Sequence, residues 1–197
     1  KQAWTWSQFL DNAKKLTTSD YVGTNIIMDK GEGIIYALGS FFTEAGAQFV
    51  SDDGSKAEGY VNSDASVKAA EYLNEFIKNG YANLDPVKDE FLNGKAATLL
   101  GGSWNIADLE KSNLNWGVSY FPVADDGKAV SPTGDWAAAI TKDSKNPDAA
   151  GKFLQWAMNS DNIASYASAV AKPASRTSSY DKMEGWDSGA RALMKWQ

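Results

Sequence analysis

Apolar and polar positions along this chain fall into blocks whose period changes. Trp6, Phe9, Leu10 and Ala13 recur at helical spacing, and Thr5-Trp6-Ser7-Gln8 sets a hydroxyl at the N-cap with Gln at the third helical position, a capping box. The run GIIYALGSFFTEAGAQFV (33–50) reads as a second helix with glycines marking its ends. SDDGSKAEGYVNSD is rich in turn residues, and Asn62-Ser63-Asp64 supplies caps for a third helix. There, Ala69, Tyr72, Leu73, Phe76 and Ile77 make one stripe that Asn79-Gly80 terminates, the clearest helix in the chain.

Beyond Asp85-Pro86 the pattern shortens. VKDEFLNG predicts a short helix stopped by Gly94, and KAATLL a buried strand. A GGSW turn and a short helix lead to WGVSYFPV (116–123), a second strand, and GDWAAAIT reads as a third. Asn146-Pro147-Asp148 combines a cap, Pro at N1 and an acid in the first turn, so it predicts a helix with Ala150, Phe153, Leu154 and Ala157 on its apolar face. Another helix begins after Ser160-Asp161. Helices alternating with a few short strands indicate an α/β layer fold.

Composition narrows the chemistry. The 197 residues contain neither Cys nor His, which removes thiol chemistry, Cys/His zinc sites and imidazole-dependent general bases. A net charge of −6 with scattered basic residues argues against a nucleic-acid binder. No apolar run is long enough to cross a membrane, and KQAWTWSQFL has neither the build of a secretory signal nor a disordered tail, so the chain reads as a piece cut from something longer. The aspartates of SDDGS invite a calcium reading, but the further oxygen ligands and closing Glu of an EF-hand loop are missing. Eight Trp stand out, because an indole N–H is costly to bury without a partner.

Five blocks, in order and across almost the whole chain, resemble the extracellular (family 1) solute-binding proteins of bacterial sugar ABC transporters, the family that includes maltodextrin-binding protein. TWSQFLDNAKKLT is similar to the family's "TW-acid-x-x-x-x-A-K-K-L" helix, and SDDGSKAEGYVNSDASVKAAEYLNEFIKNGY to its turn, "N-S" cap and long helix. EFLNGKAATLLGGSWNIADL matches "F-x-x-G-K-A-A-M-x-x-G-P-W", NWGVSYFPV the crossing strand, and TGDWAAAITKDSKNPDAAGKFLQWAM the block "GGW-x-x-A-I-x-x-x-S-K-N-P-E-A-A-W-x-F-L". Ser103 replaces a common Pro, Asp135 a common Gly, and Trp4 stands where a small or charged residue is usual.

The resemblance implies a truncated, helix-rich lobe of the periplasmic-binding-protein-like (type II) fold with a small mixed sheet. Residues 1–136 would be mainly the C-terminal lobe, 137–170 a strand-helix segment returning to an absent N-terminal lobe, and 171–197 a C-terminal helical segment. It further implies capture of an oligosaccharide for a membrane permease, without cofactor, metal or nucleic acid. The complete protein would be a monomer outside the cell, periplasmic or anchored as a lipoprotein.

Trp104 is the sharpest candidate. Sugar rings have an apolar C–H face that stacks on an indole, the preceding glycines remove side chains that would block approach, and the family's matching Trp faces the sugar. The alternative is a hydrophobic plug at a helix start. Gly134, Asp135 and Trp136 come second: the carboxylate would accept from adjacent hydroxyls and the indole would stack beside it, or they are a turn and a core Trp. Tyr36 stands in the block that resembles the family's aromatic sugar contact, though IIYALGSFF also suits a helix core. Glu32 and Arg176 complete the set, Arg176 resembling the family's "P-x-R" loop or serving as a surface residue. Trp4, Trp6, Trp116, Trp156 and Trp186 read as packing residues, and Trp196 as left exposed at the end. A glycoside hydrolase also uses aromatic platforms with paired carboxylates, but no spacing among the 25 acidic residues singles out a pair. A stand-alone carbohydrate-binding module fits the Trp content but is usually all-β.

Overall fold

The computed structural model describes residues 3–26, 31–132, 134 and 136–195, with only the backbone of Glu32. The described residues divide into two units. Unit 1 comprises Lys1–Gly101, Ser112–Asn115 and Ser119–Pro132; unit 2 comprises Gly102–Lys111, Trp116–Val118 and Thr133–Gln197.

Unit 1 is built on helices α1 (Trp6–Leu16), α2 (Glu32–Glu44) and α3 (Asp64–Lys78). The predicted capping box starts α1: the Gln8 amide donates to Thr5 Oγ1 at 3.3 Å while the Thr5 amide donates to Gln8 Oε1 at 3.0 Å. No acid lies in the first turn of α1, yet one arrives from far along the chain. Asp125 accepts from the Ser7 amide at 3.0 Å and from its hydroxyl at 2.8 Å, placing a negative charge on the positive end of the helix. Those bonds hold the Asp125 carboxyl below its ordinary value of 3.8. Ser63 caps α3 by accepting from the Ser66 amide.

Between these helices lies an aromatic core. Trp6 stacks on Tyr72 with ring centroids 4.6 Å apart, Phe9 meets Phe76 at 5.0 Å, and Phe41 meets Phe121 at 5.3 Å. Phe9, Phe41 and Phe76 are fully buried and account for several kcal/mol of apolar transfer free energy between them, at roughly 2–3 kcal/mol each. The Tyr72 hydroxyl donates to the Trp6 carbonyl at 2.7 Å. Burial pushes its pKa far above the ordinary phenol range, with the charges of Asp125 and Glu44 adding to the shift.

Helix α2 stops at Glu44, well short of the predicted Val50, because Gly46 takes a positive φ of 94°. VKDEFLNG forms turns instead of a helix: Asp89 sits in the left-handed region at φ 54°, and Glu90 is buried against the side-chain amides of Asn25 and Asn83.

The expected mixed sheet is absent among the described residues, which hold three isolated parallel bridges: Thr5 with Val123, Val22 with Ala96, and Asn25 with Leu99. The last two share an offset but cannot merge into a ladder. Val22 bonds to Lys95 and Ala97, so a regular parallel pair would next engage residue 24. The Thr24 amide instead donates to the Tyr81 carbonyl at 3.0 Å, and pairing resumes one residue late at Asn25. Both segments therefore advance three residues between bridges, where a regular ladder would advance two. WGVSYFPV pairs only at Val123, and GDWAAAIT runs exposed with no bridge among its described residues.

Unit 2 holds α4 (Ile106–Lys111) behind the 3-10 turn Ser103–Asn105, then α5 (Pro147–Ala157), α6 (Ser160–Ala169), a 3-10 segment Thr177–Lys182 and α7 (Gly189–Met194). Its core gathers Ala164, Ala167, Met183 and Trp186. Two serines clamp α6 to the 3-10 segment reciprocally: Ser160 Oγ donates to the Ser178 carbonyl and Ser179 Oγ to the Ser160 carbonyl, both at 2.9 Å. Helix α5 starts at Pro147 as its signals predict, but none of its residues is buried. Phe153 and Trp156 are each 61% exposed, so Trp156 is not the packing residue expected, and Trp4 is partly exposed too. Trp6 and Trp186 are buried as expected, Trp116 is half-buried, and Trp196 lies outside the described residues. Among the described residues no helix is long and apolar enough to cross a membrane.

Two substitutions probe these contacts. A Cβ at Gly23 would lie 2.0 Å from the Ala13 carbonyl oxygen and 2.6 Å from its carbon, backbone atoms that cannot yield, so Gly23→Ala is expected to lower the unfolding free energy in urea by about 3 kcal/mol. For Asp125 the depressed pKa means that folding favours its ionised form. Its contribution is therefore present above the ordinary carboxylate value and lost as pH falls through the lowered one. Asp125→Asn should lower the melting temperature near pH 7, and the gap from the wild type should close as the melts are carried to pH values below the ordinary carboxylate range.

Candidate functional site

The Lys95–Leu100 segment ends in two glycines, and the division between units falls between them, with Gly101 in unit 1 and Gly102 in unit 2. Gly102 and Asn105 close a tight turn. The Gly102 amide donates to Asn105 Oδ1 at 3.1 Å, and the Asn105 amide donates to the Gly102 carbonyl at 3.0 Å. This fixes the 3-10 turn that carries Trp104 and leads into α4, where Ile106 and Leu109 are buried.

The indole of Trp104 is 38% exposed, neither sealed like a plug nor fully projecting. Its benzo edge folds back over Gly102, where a Cβ would fall 2.2 Å from Cζ3 and 2.3 Å from Cη2. The glycine is needed by the indole itself, which differs from the role of clearing an approach that the sequence suggested.

The remaining predicted residues separate by unit. Gly134 and Trp136 in unit 2 are exposed, Trp136 at 85%, and Asp135 lies outside the described residues. Arg176, also in unit 2, is exposed at the entry to the Thr177–Lys182 segment, where its carbonyl accepts from the Ser179 amide at 3.0 Å. Tyr36 sits half-buried on α2 of unit 1 with its hydroxyl donating to the Pro132 carbonyl at 3.5 Å. Glu32 opens the same helix, and its side chain lies outside the described residues. Within unit 1 the structure thus brings Tyr36 to Pro132.

Sequence reasoning missed one buried acid on α2. Glu44 ends α2 in an apolar setting and accepts hydrogen bonds from Trp6 Nε1 and the Val130 amide. Burial raises its pKa, with those two donors and Lys128 pulling the other way. An acid inside the run FFTEAG was the available signal. In SDDGS, by contrast, Asp53 is satisfied by its own loop: the Ser51 hydroxyl, then the Ser55 amide and hydroxyl, donate to it and lower its pKa to about 2. Among the described residues no group of three or more acidic side chains is placed to hold a metal ion. Among the described candidates, Trp104, Trp136 and Tyr36 offer ring faces, and Tyr36 a hydroxyl.

The family model described as bacterial extracellular solute-binding protein matches residues 1–192. Maltodextrin-binding protein MdxE of Bacillus subtilis (strain 168) is 30% identical over 52% of this chain and 27% of its own length. A galactooligosaccharide-binding protein of the same organism is 23% identical over 80% of this chain and 40% of its own. The fold is similar to the crystal structure of an ABC transporter solute-binding protein from Thermotoga lettingae bound with α-D-tagatose, with a TM-score of 0.78 at 22% identity over 98% of this chain and 52% of that one. The chain therefore spans about half the length of that solved structure and less of the curated relatives.

Since the indole rests where a methyl group would be, Gly102→Ala should displace Trp104 without unfolding α4. Acrylamide quenching, taken as the difference between Gly102→Ala and the same change in a Trp104→Phe background, should show the Trp104 contribution altered. Identical quenching with and without the methyl would mean that the ring does not rest on the glycine.

Proposed function

The chain belongs to the bacterial extracellular solute-binding proteins, and we propose that it supplies much of the oligosaccharide-capturing surface of an ABC importer's binding protein. The observation that carries this reading is the pairing of the family match over residues 1–192 with a half-exposed indole, Trp104, held against Gly102. Relatives whose names specify maltodextrin and galactooligosaccharide point to the same class of ligand.

In this reading Trp104 and Trp136 stack on the apolar faces of sugar rings, while Asp135, Glu32 and Arg176, with the hydroxyl of Tyr36, bind sugar hydroxyls. Gly134 lets the backbone approach. No bond is made or broken: the complete protein encloses the ligand between two lobes by a hinge motion and delivers it to a membrane permease. Residues 137–170 are the segment that returns to the second lobe. The exposed Phe153 and Trp156 on α5 support this, because a helix with none of its residues buried leaves its apolar side for another part of the polypeptide. The family is extracellular; a lipid anchor on the complete protein, and its monomeric state, are part of the proposal.

Titrating the complete protein with a panel of oligosaccharides, followed by Trp fluorescence, tests the reading. A saturable change is expected with at least one sugar. Silence across the panel at millimolar concentrations would end the transport reading, and release of reducing sugar would move the protein to the hydrolases. Trp104→Ala is expected to lose on the order of 1–3 kcal/mol of binding free energy, the usual worth of an aromatic anchor; an unchanged affinity would assign that ring to packing.

A further inference from the structure

The 3-10 turn that carries Trp104 passes straight into α4: the Ile106 amide donates to the Ser103 carbonyl, so turn and helix follow one hydrogen-bonded course. Where α4 is held within unit 2, the indole is held with it. A helix of six residues is marginal on its own in water, so its placement comes from what it packs against. Ile106 and Leu109 are buried and anchor one side of α4. Its far end is held by a charge from 81 residues further along the chain. Arg191 on α7 donates from Nη2 to Glu110 Oε2 at 2.8 Å.

This contact is more firmly seated than an ion pair between two loose surface side chains. The Arg191 side chain keeps only 25% of its exposure, and its Nε is fully covered. Gly185 makes the seat: a Cβ there would stand 3.2 Å from Arg191 Nη1, and the backbone takes a φ of 78° that side chains rarely adopt. The next residue, Trp186, is buried in the core with Met183, Ala164 and Ala167. A path from that core to the indole therefore runs through Gly185, Arg191, Glu110 and α4, entirely inside unit 2. Partial burial reduces the screening that weakens exposed pairs, and the planar guanidinium gives the contact a fixed direction.

We propose that Arg191 is a positioning residue for Trp104: by holding Glu110 it fixes the end of α4, and with it the direction in which the indole faces. The effect on affinity rests on the carbohydrate reading. The orientation of the indole stands apart from that reading.

The test, in the complete protein, compares Arg191→Met, Arg191→Lys, Glu110→Gln and Lys182→Met. Methionine keeps part of the arginine stem and removes the charge. Lys182→Met breaks another ion pair of unit 2, that of Lys182 with Asp161, which ties the Thr177–Lys182 segment to α6 and does not involve α4. Arg191→Met and Glu110→Gln should each weaken oligosaccharide affinity by calorimetry about fivefold, the upper end for a partly exposed pair. Each should also shift the Trp104 indole N–H resonance and change the acrylamide quenching of Trp104, taken against a Trp104→Phe background. Arg191→Lys, which keeps the cation, should recover part of all three. Lys182→Met should melt earlier yet keep wild-type affinity and an unmoved Trp104 resonance. Wild-type affinity or an unmoved Trp104 resonance in a folded Arg191→Met overturns the proposal, as does an equal effect of Lys182→Met. If Arg191→Met does not fold, Glu110→Gln, at an exposed position on α4, decides by the same criteria. Should the wild type bind no sugar, the carbohydrate reading fails, and the Trp104 resonance and quenching decide: changes confined to the Arg191 and Glu110 variants support positioning, and none refutes it.

Discussion

Because a buried carboxylate is tolerated only where donors face both of its oxygens, Glu44 dictates more of unit 1 than any single apolar contact does. The indole N–H of Trp6 has to point at the end of α2, which fixes the rotation of α1 about its own axis. That rotation turns Trp6 onto Tyr72 and brings Phe9 against Phe76. The aromatic core and the polar contact are therefore two aspects of one arrangement: the rings supply most of the burial energy, and the carboxylate selects which of many greasy packings is adopted.

Legibility in the sequence tracks the range of the interaction. The capping box of α1, the stripe of α3 and the Pro147 start of α5 depend on neighbours within one or two turns, so local pattern suffices. The sheet failed because its pairing is decided by a residue far away: the Tyr81 carbonyl takes the Thr24 amide and throws the ladder out of phase. Asp125 capping α1 from more than a hundred positions downstream is invisible to any local window for the same reason. Glu90 turned a predicted helix into turns by seeking two asparagines outside that run.

The candidate site was legible as residue types rather than as geometry. Trp104 announced itself by sitting after two glycines, but the purpose of Gly102 emerged only once the indole was seen lying on it. Trp136 and Trp156 look alike in sequence, each at the start or on the face of a predicted apolar element, and both prove exposed. Burial depends on what covers an element, and pattern alone registers only that an element is able to be covered.

The contact between Trp104 and Gly102 has a consequence for the thermodynamics of any encounter at that ring. A large side chain on an open surface normally samples several rotamers and must give them up when something docks on it. Here the backbone has already claimed the indole, so its conformational freedom is surrendered during folding and is not lost a second time. The association of a partner with that ring is accordingly expected to be limited by desolvation and contact quality, with little ordering left to oppose it.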